Sequence, residues 1–133
     1  MIFLDSNFII SHEIENDQNH NGAINLAERI SQGIYGEPVI SEYIFNEIST
    51  LLLIKLKLLE KTIERCEIIK SIKMFRVSEK TFDDAWDIFK EQKDTKLSFA
   101  DCTIIATMNS EGIKNIAAFD KDFKKINGIN VID

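Results

Sequence analysis

Short apolar runs alternate with longer segments of helical periodicity along the whole chain, and this alternation most narrowly limits the fold. In the longer segments apolar residues recur every three or four positions, as in Ala23, Leu26 and Ile30, which is the period of an amphipathic helix. The apolar runs have strand length and lie at residues 1–4, 39–40, 74–77, 116–119 and 129–132. Strands that alternate with helices predict βαβ units and a mainly parallel sheet of four to five strands.

Five segments carry the helical period, and several have end signals. Gly36 and Pro38 follow the first segment, and Gly112 is placed to cap the last one. The predicted helices cover residues 23–34, 41–59, 62–72, 79–92 and 97–110. On the fourth helix, Phe82, Ala85, Trp86 and Phe89 share one face, and Trp86 and Phe89 are predicted to lie in the core. No linker or repeat interrupts the 133 residues, so we expect residues 1–133 to form a single domain.

Charge and composition exclude several classes of protein. The net charge of −6 argues against binding nucleic acid through a basic surface, although bound cations would reverse the sign of a site. No apolar stretch approaches the roughly 20 residues of a membrane helix, and no signal peptide is evident, so we expect a cytoplasmic protein. Cys66 and Cys102 are isolated and are expected to be unreactive thiols. No His/Cys cluster suggests zinc.

Four acidic residues stand where the pattern does not require them. Asp5 directly follows the first strand, and Asp120 directly follows the fourth. Because ligands bind beyond the carboxyl ends of parallel strands, these two carboxylates are expected at one functional edge of the sheet. Glu47 and Asp101 interrupt the apolar stripes of two helices, near their starts. A shared acidic pocket explains all four positions together.

Each of these acids also has a purely structural interpretation. Asp101 follows Ser98 by three residues, which is the spacing of a capping box. Asp120 is placed to cap a short helix containing Phe123. Asp5 is placed in a turn after its strand, and the carboxylate of Glu47 is able to reach water from the edge of its stripe.

A pocket of carboxylates is unstable without protons or a cation. Two carboxylates about 4 Å apart repel each other by roughly 4 kcal/mol at an effective dielectric constant near 20. Either a pKa rises or a cation binds. Oxygen ligands suit Mg²⁺ or Mn²⁺, and one or two such ions promote hydrolysis of phosphodiesters. The residues therefore predict an acidic divalent-metal site for phosphate chemistry.

Four segments of the sequence, taken in order, resemble the motifs of the PIN-domain nucleases. They are FLDSNFII, ISEYIFNEI, LSFADCTIIATM and IAAFDKDFKKI, and together they span residues 1–126. Length and layout look most like the VapC-type toxins of toxin–antitoxin systems. The resemblance implies a three-layer α/β/α fold and cleavage of single-stranded RNA that depends on Mg²⁺ or Mn²⁺. It also implies a small antitoxin partner and a homodimer.

The resemblance assigns roles to individual residues of this chain. It implies that Asp5, Glu47, Asp101 and Asp120 are the catalytic metal ligands. Asp122 is an alternative fourth ligand. The side chains of Ser6 and Asn7 are expected to lie behind Asp5 and to hold it by hydrogen bonds, because hydrogen bonds of this kind orient metal ligands. Beside the site, the side chains of Lys121 and Lys124 are candidates for contact with RNA phosphates.

One position departs from the PIN pattern. The fourth motif commonly has Thr or Ser two residues before its first Asp, where this chain has Ala118. This departure keeps open an alternative, a non-catalytic PIN-like module that binds RNA or protein. A phosphatase of the haloacid-dehalogenase type fits worse, because Asn7 occupies the position of its second Asp.

Overall fold

The chain folds around a five-stranded sheet in which every neighbouring pair of strands is parallel. The computed structural model describes all 133 residues. Its strands are β1 (Ile2–Leu4), β2 (Pro38–Ser41), β3 (Lys73–Phe75), β4 (Asn115–Ala117) and β5 (Asn130–Ile132). Six helices flank the sheet, so the predicted three-layer α/β/α fold is confirmed.

The strands lie in the order β3-β2-β1-β4-β5. The first strand of the chain, β1, is therefore the central one, and later strands are added on both sides of it. β1 therefore pairs with both β2 and β4, and the direction of winding reverses between β1 and β4. Such a reversal opens a crevice beyond the carboxyl ends of the two strands, where α/β proteins bind their ligands. The two strands that precede Asp5 and Asp120 are the ones that border this crevice.

Three of the six helices begin at serine caps that the sequence supplies locally. Ser41, Ser78 and Ser98 each accept a hydrogen bond from a backbone N–H group at the start of a helix. The helices are α1 (Ser6–Glu13), α2 (His20–Ser31), α3 (Glu42–Leu56), α4 (Leu59–Lys70), α5 (Glu79–Lys90) and α6 (Phe99–Glu111), with a 3₁₀ helix at Lys121–Lys125. None of them is both long and apolar enough to cross a membrane.

The core lies on the central strands and on α6. All three residues of β1 are buried, and so is every residue of α6 from Cys102 to Met108. A helix that is apolar around its whole circumference belongs in the interior of a protein. As a result, α6 holds the residues near its N-terminus, including Asp101, against the centre of the molecule.

Helix α1 was absent from the helices predicted from the sequence. It has eight residues, and Phe8, Ile9 and Ile10 are buried side by side. Such a continuous apolar run does not distinguish a helix from a strand. The predicted break between helices 41–59 and 62–72 lies a few residues earlier, because Lys57 adopts the left-handed conformation (φ 61°) between α3 and α4.

The aromatic face of α5 is more exposed than the sequence predicted. Phe82, Trp86 and Phe89 are 44%, 47% and 36% exposed, so the prediction that Trp86 and Phe89 lie in the core is wrong. Ala85, which was predicted on the same face, is fully buried, and Thr81, one turn before it, is also buried. We call Phe82, Trp86 and Phe89 the α5 aromatic surface. Amphipathic periodicity shows which residues share a face, but it does not show what covers that face.

Candidate functional site

Asp5 lies directly beyond β1, and its carboxylate is almost completely enclosed. Its backbone N–H donates to the carbonyl oxygen of Ala117 at 3.0 Å, which ties it to the end of β4. The residue is 1% exposed, and neither carboxylate oxygen has a hydrogen-bond partner. A buried polar group without a partner is costly, so such a group needs a structural or functional explanation.

The surroundings of Asp5 raise its pKa from the ordinary value of 3.8 to about 8. Burial is the main cause, and the negative charge of Asp101 is the next. The N–H groups of Ser6 and Asn7 at the start of α1 lower the pKa in part, and the charge of Glu47 raises it further. Without a cation, the folded protein therefore favours a protonated Asp5.

Asp101 occupies the third position of α6 and completes a capping box with Ser98. The Ser98 N–H donates to Asp101 Oδ2 at 2.9 Å, and the Asp101 N–H donates to Ser98 Oγ at 3.1 Å. Burial raises the pKa of Asp101, and the charges of Asp120 and Glu47 raise it further, against the lowering effect of the Ser98 hydrogen bonds. The capping interpretation of Asp101 is therefore confirmed, and the same carboxylate lies close enough to the other acids for their charges to act on it.

Glu47 and Asp120 approach the other two acids from different elements. Glu47 lies half-buried on α3, one turn beyond the buried Ile44. Asp120 follows β4, which ends at Ala117, and caps the 3₁₀ helix by accepting the Asp122 N–H at 2.9 Å. Since the charge of Glu47 acts on Asp5 and Asp101, and that of Asp120 acts on Asp101, the structure brings the four acids into one neighbourhood.

The oxygen atoms of these four acids are of the type that hard divalent cations bind. All are carboxylate oxygens, and the two oxygens of Asp5 have no other partner. The acids do not form a closed cage, because no group of three or more His, Cys, Asp or Glu side chains is arranged to hold a metal ion. Asp101 and Asp120 each use one oxygen to cap a helix, which leaves the other oxygen as a candidate ligand.

Asp122 has different surroundings from the other four acids. Its Oδ2 accepts the Lys96 N–H at 2.8 Å, and its Oδ1 pairs with the Lys125 ammonium at 2.9 Å. The Lys96 N–H group, followed by the Lys125 side chain, lowers the pKa of Asp122. Both oxygens of Asp122 are therefore engaged away from the acidic neighbourhood.

The residues predicted to hold Asp5 or to contact RNA differ in their exposure and in their partners. Ser6 is buried and Asn7 is exposed, and no hydrogen bond joins either side chain to the unpartnered carboxylate of Asp5. The exposed Lys121 forms no ion pair, whereas Lys124 pairs with Asp133 Oδ2 at 2.7 Å. Lys121 is therefore the freer of the two candidates for contact with a phosphate.

Ala118 lies in the protein core just beyond β4. It is fully buried, and its N–H donates to the Ile132 carbonyl oxygen at 3.3 Å. The position where the PIN pattern has a hydroxyl is therefore filled here by a methyl group in the interior. A hydroxyl at this position would need a buried hydrogen-bond partner.

Two aromatic residues beside the acids did not stand out in the sequence. Tyr43 lies one turn before Glu47 on α3, and Phe99 lies two residues before Asp101 on α6. Their ring centroids are 6.3 Å apart, and the Phe99 ring also contacts the α5 aromatic surface, 5.0 Å from Phe82. The spacing of Tyr43 and Glu47, four residues on one helix, was a signal that could have identified the first of them.

A separate groove lies between α1, α2 and α4. It encloses about 650 Å³, and its apolar lining includes Phe8, Ile9, Ile30, Ile68, Ile69 and Ile72. The carboxylates of Glu13 and Glu37 also line it. None of the four clustered acids lines this groove, so it is a separate surface of the molecule.

Comparison with known proteins identifies what the chain resembles. Residues 2–129 match the family model of the PIN domain. No curated protein sequence gives a significant match. The Mycobacterium tuberculosis toxin VapC20, described as cleaving the sarcin–ricin loop, is similar in structure with a TM-score of 0.82 and 24% identity, over 97% of each chain.

Two further solved structures have similar folds. A toxin–antitoxin complex from Klebsiella pneumoniae matches with a TM-score of 0.71 and 15% identity, over 100% of this chain and 97% of that chain. VapBC2 from Rickettsia felis, bound to a DNA fragment from its promoter, matches with a TM-score of 0.72 and 18% identity, over 99% and 98% of the two chains. At these identities the likeness is one of fold.

Proposed function

The chain belongs to the PIN domain family, and from this membership we propose that it is a metal-dependent endoribonuclease. It hydrolyses phosphodiester bonds of single-stranded RNA and is the toxin of a toxin–antitoxin pair, acting in the cytoplasm. Residues 1–133 form a single nuclease domain in this proposal. The observation that carries it is the buried, unpartnered carboxylate of Asp5 beside Asp101 and Glu47, at the point where the sheet reverses.

The proposed ligands are Asp5, Glu47, Asp101 and Asp120, with Mg²⁺ or Mn²⁺ as the cation. One or two such ions, when bound, activate water and stabilise the leaving oxygen of a phosphodiester. The protein residues hold the oxygen ligands in place. α6 and the end of β1 are buried and rigid, and the capping box holds the carboxylate of Asp101 at the start of its helix.

The position of the site at the sheet edge supports a long polar substrate. The crevice beyond β1 and β4 is where an α/β sheet receives ligands. Lys121 lies next to Asp120, is exposed and forms no ion pair, so it is available to a phosphate of the RNA backbone. A cation at the acids also attracts phosphates, although the net charge of the chain is −6.

The decisive experiment is RNA cleavage with a controlled metal supply. The purified protein should cut single-stranded RNA with Mg²⁺ or Mn²⁺ and stop with EDTA. Asp101→Asn should lower the cleavage rate by at least about a hundredfold, because it removes a charged oxygen from the site. Asp87→Asn is the matched control, since Asp87 is an exposed acid on α5.

Absence of metal-dependent cleavage by the wild-type protein would refute the nuclease proposal. Equal cleavage by wild type and Asp101→Asn would indicate a contaminating nuclease. Binding of RNA without cleavage under any divalent cation would support the alternative, a non-catalytic PIN-like module.

The groove between α1, α2 and α4 supports the antitoxin part of the proposal. An apolar groove of this size suits one face of an amphipathic helix, and the exposed carboxylate of Glu37 at its edge suits a basic residue on that helix. The product of an adjacent small reading frame, when co-expressed, should co-purify with this protein and inhibit it. Ile68→Lys should weaken the complex at least about tenfold, because it places a charge in the groove. Lys70→Met is a control on α4 outside the groove.

The α5 aromatic surface supports a homodimer. Exposed aromatic residues are typical of the centre of an interface, and this surface contains the only tryptophan of the chain. Trp86→Lys should shift the protein from dimer to monomer in sedimentation equilibrium while its thermal stability at low concentration changes little. A monomeric wild-type protein at concentrations of about 100 μM would overturn this proposal.

A further inference from the structure

The loop before α6 and the 3₁₀ helix after β4 are joined by hydrogen bonds that converge on one carboxylate. We infer that Asp122 is a positioning residue, which fixes the location of Asp101 relative to Asp120 by holding these two segments together. The inference rests on the proposed function, because Asp101 and Asp120 are proposed ligands. It assigns to Asp122 a role other than metal binding.

The connection runs through a short series of contacts. The Asp122 N–H donates to Asp120 Oδ1 at 2.9 Å, and Asp122 Oδ2 accepts the Lys96 N–H at 2.8 Å. Two residues after Lys96, the Ser98 N–H donates to Asp101 Oδ2 at 2.9 Å. Asp122 is thus the bridge between the cap that holds Asp120 and the cap that holds Asp101.

Lys125 strengthens the same bridge. Its ammonium group contacts Asp122 Oδ1 at 2.9 Å and donates to the Asp94 carbonyl oxygen at 2.8 Å. The loop is therefore held at two points, Asp94 and Lys96, by neighbouring groups of the 3₁₀ helix. Hydrogen bonds to charged groups are stronger than neutral ones, so this arrangement restricts a loop whose residues are largely exposed.

The buried residues on either side favour one fixed arrangement. Leu97 is 2% exposed, and Phe123 is fully buried, so each segment has an apolar anchor beside the bridge. Gln92 adds a further hold, because its Oε1 accepts the Leu97 N–H at 2.7 Å and its Nε2 donates to the Leu97 carbonyl oxygen at 3.0 Å. The bridge holds the loop at two further points, Asp94 and Lys96, which these contacts do not reach.

A ligand role and a positioning role for Asp122 predict opposite effects of a change at Lys125. If Asp122 bound the cation, Lys125→Met would leave the affinity for Mn²⁺ unchanged or raise it, because a nearby positive charge is removed. If Asp122 positions the loop, Lys125→Met should weaken Mn²⁺ binding, since the hydrogen bond from Lys125 to the Asp94 carbonyl oxygen and the ion pair with Asp122 are both lost. Outer contacts of this kind commonly change metal affinity by about 10- to 100-fold.

The first measurement is Mn²⁺ affinity by electron paramagnetic resonance, without RNA. Asp122→Ala should weaken binding about tenfold, and Lys125→Met should weaken it by a smaller factor. Asp122→Asn should recover most of the loss in Asp122→Ala, because its amide oxygen still accepts the Lys96 N–H. Lys90→Met is the matched control, since Lys90 and Asp87 form an exposed pair with the same spacing, three residues.

The second measurement, amide hydrogen exchange in metal-free protein, does not depend on the nuclease proposal. Asp122→Ala should speed exchange at Lys96, Ser98 and Asp101 at least about tenfold, with no change at Thr81, which lies in the equivalent cap of α5. Unchanged exchange at these amides, or Asp122→Asn as damaging to Mn²⁺ binding as Asp120→Asn, would overturn the inference. A wild-type protein that binds Mn²⁺ without cutting RNA would refute only the proposed function.

Discussion

Among single residues, Asp5 is the one whose environment departs furthest from that of an ordinary side chain. Its carboxylate is enclosed without a partner, beside the charges of Asp101 and Glu47. An enclosed carboxylate of this kind destabilises the folded state when it is ionised, and either a proton or a cation removes that cost. The residue therefore links the stability of the protein to pH and to metal.

We expect the metal-free protein to lose stability as pH rises from about 4 to about 8. The unfolded chain releases the Asp5 proton near its ordinary pKa of 3.8, whereas the folded protein holds it until a pKa of about 8. Between these values the folded state binds one proton more, so the free energy of unfolding falls by up to about 1.4 kcal/mol per pH unit.

Urea unfolding in EDTA at several pH values measures this dependence. The Asp5→Asn side chain cannot ionise, so this variant should lose most of the fall in stability between pH 5 and pH 7.5. That range lies between the ordinary pKa of Asp5, 3.8, and its pKa in the folded protein, about 8. A wild-type slope that persists unchanged in Asp5→Asn would show that other groups are responsible.

Among the helices, α6 connects folding to the site most directly. The hydrogen bonds between Ser98 and Asp101 form a capping box that begins the helix and also holds Asp101. The same bonds therefore contribute to the stability of the helix and to the position of a proposed metal ligand. Ser98→Ala should lower the free energy of unfolding by about 1 kcal/mol, the usual cost of losing an N-cap. It should also weaken Mn²⁺ binding, because the Asp101 N–H loses its acceptor and the first turn that carries Asp101 is held less firmly, although the Ser98 N–H still contacts the carboxylate.

The matched control for this cap is Ser78→Ala at the start of α5. Ser78 Oγ accepts the Thr81 N–H at 3.1 Å, in the same geometry as the cap of α6. We expect a similar loss of stability in urea unfolding, with Mn²⁺ affinity unchanged. If both variants weakened Mn²⁺ binding equally, the effect would come from global stability and not from Asp101.

The buried circumference of α6 predicts a high sensitivity to truncation of its side chains. Ile104 is fully buried, so Ile104→Ala should lower the free energy of unfolding by about 2–5 kcal/mol through lost contacts and the cavity that remains. Ile54→Ala on α3 is the control, because Ile54 is 63% exposed. Its effect in the same urea experiment should stay within about 0.5 kcal/mol.

For the molecule as a whole, the strand order decides where the acids meet. β1 and β4 are neighbours although more than 100 residues separate them in the sequence. This pairing brings Asp5 and Asp120 to one edge, and α3 and α6 add Glu47 and Asp101. The net charge of −6 reinforces the local repulsion, so a cation that binds there should stabilise the entire fold.

We expect Mg²⁺ or Mn²⁺ to raise the thermal stability of the protein. A cation at 100 times its dissociation constant stabilises the folded state by about 2.7 kcal/mol, if it does not bind the unfolded chain. The shift in melting temperature should disappear in Asp5→Asn and persist in Asp87→Asn. An equal shift in both variants would indicate nonspecific binding to the acidic surface.

The features that could be predicted from the sequence are those formed by residues close together in the chain. The periodicity of apolar residues predicted the parallel α/β architecture, and the spacing of Ser98 and Asp101 predicted the capping box that the structure contains. The position of Asp120 predicted its role as the cap of a short helix. These features are local because a helix or a cap is formed by residues three or four positions apart.

Which surfaces cover one another could not be predicted from the sequence, because it depends on how distant segments pack. The enclosure of both Asp5 oxygens, the exposure of the α5 aromatic surface and the bond between Asp122 and Lys96 all join or separate distant segments. Periodicity identifies the apolar face of a helix, but burial depends on the element that packs against it. For the same reason, the sequence placed Asp120 and Asp122 side by side, and the fold gave them different partners.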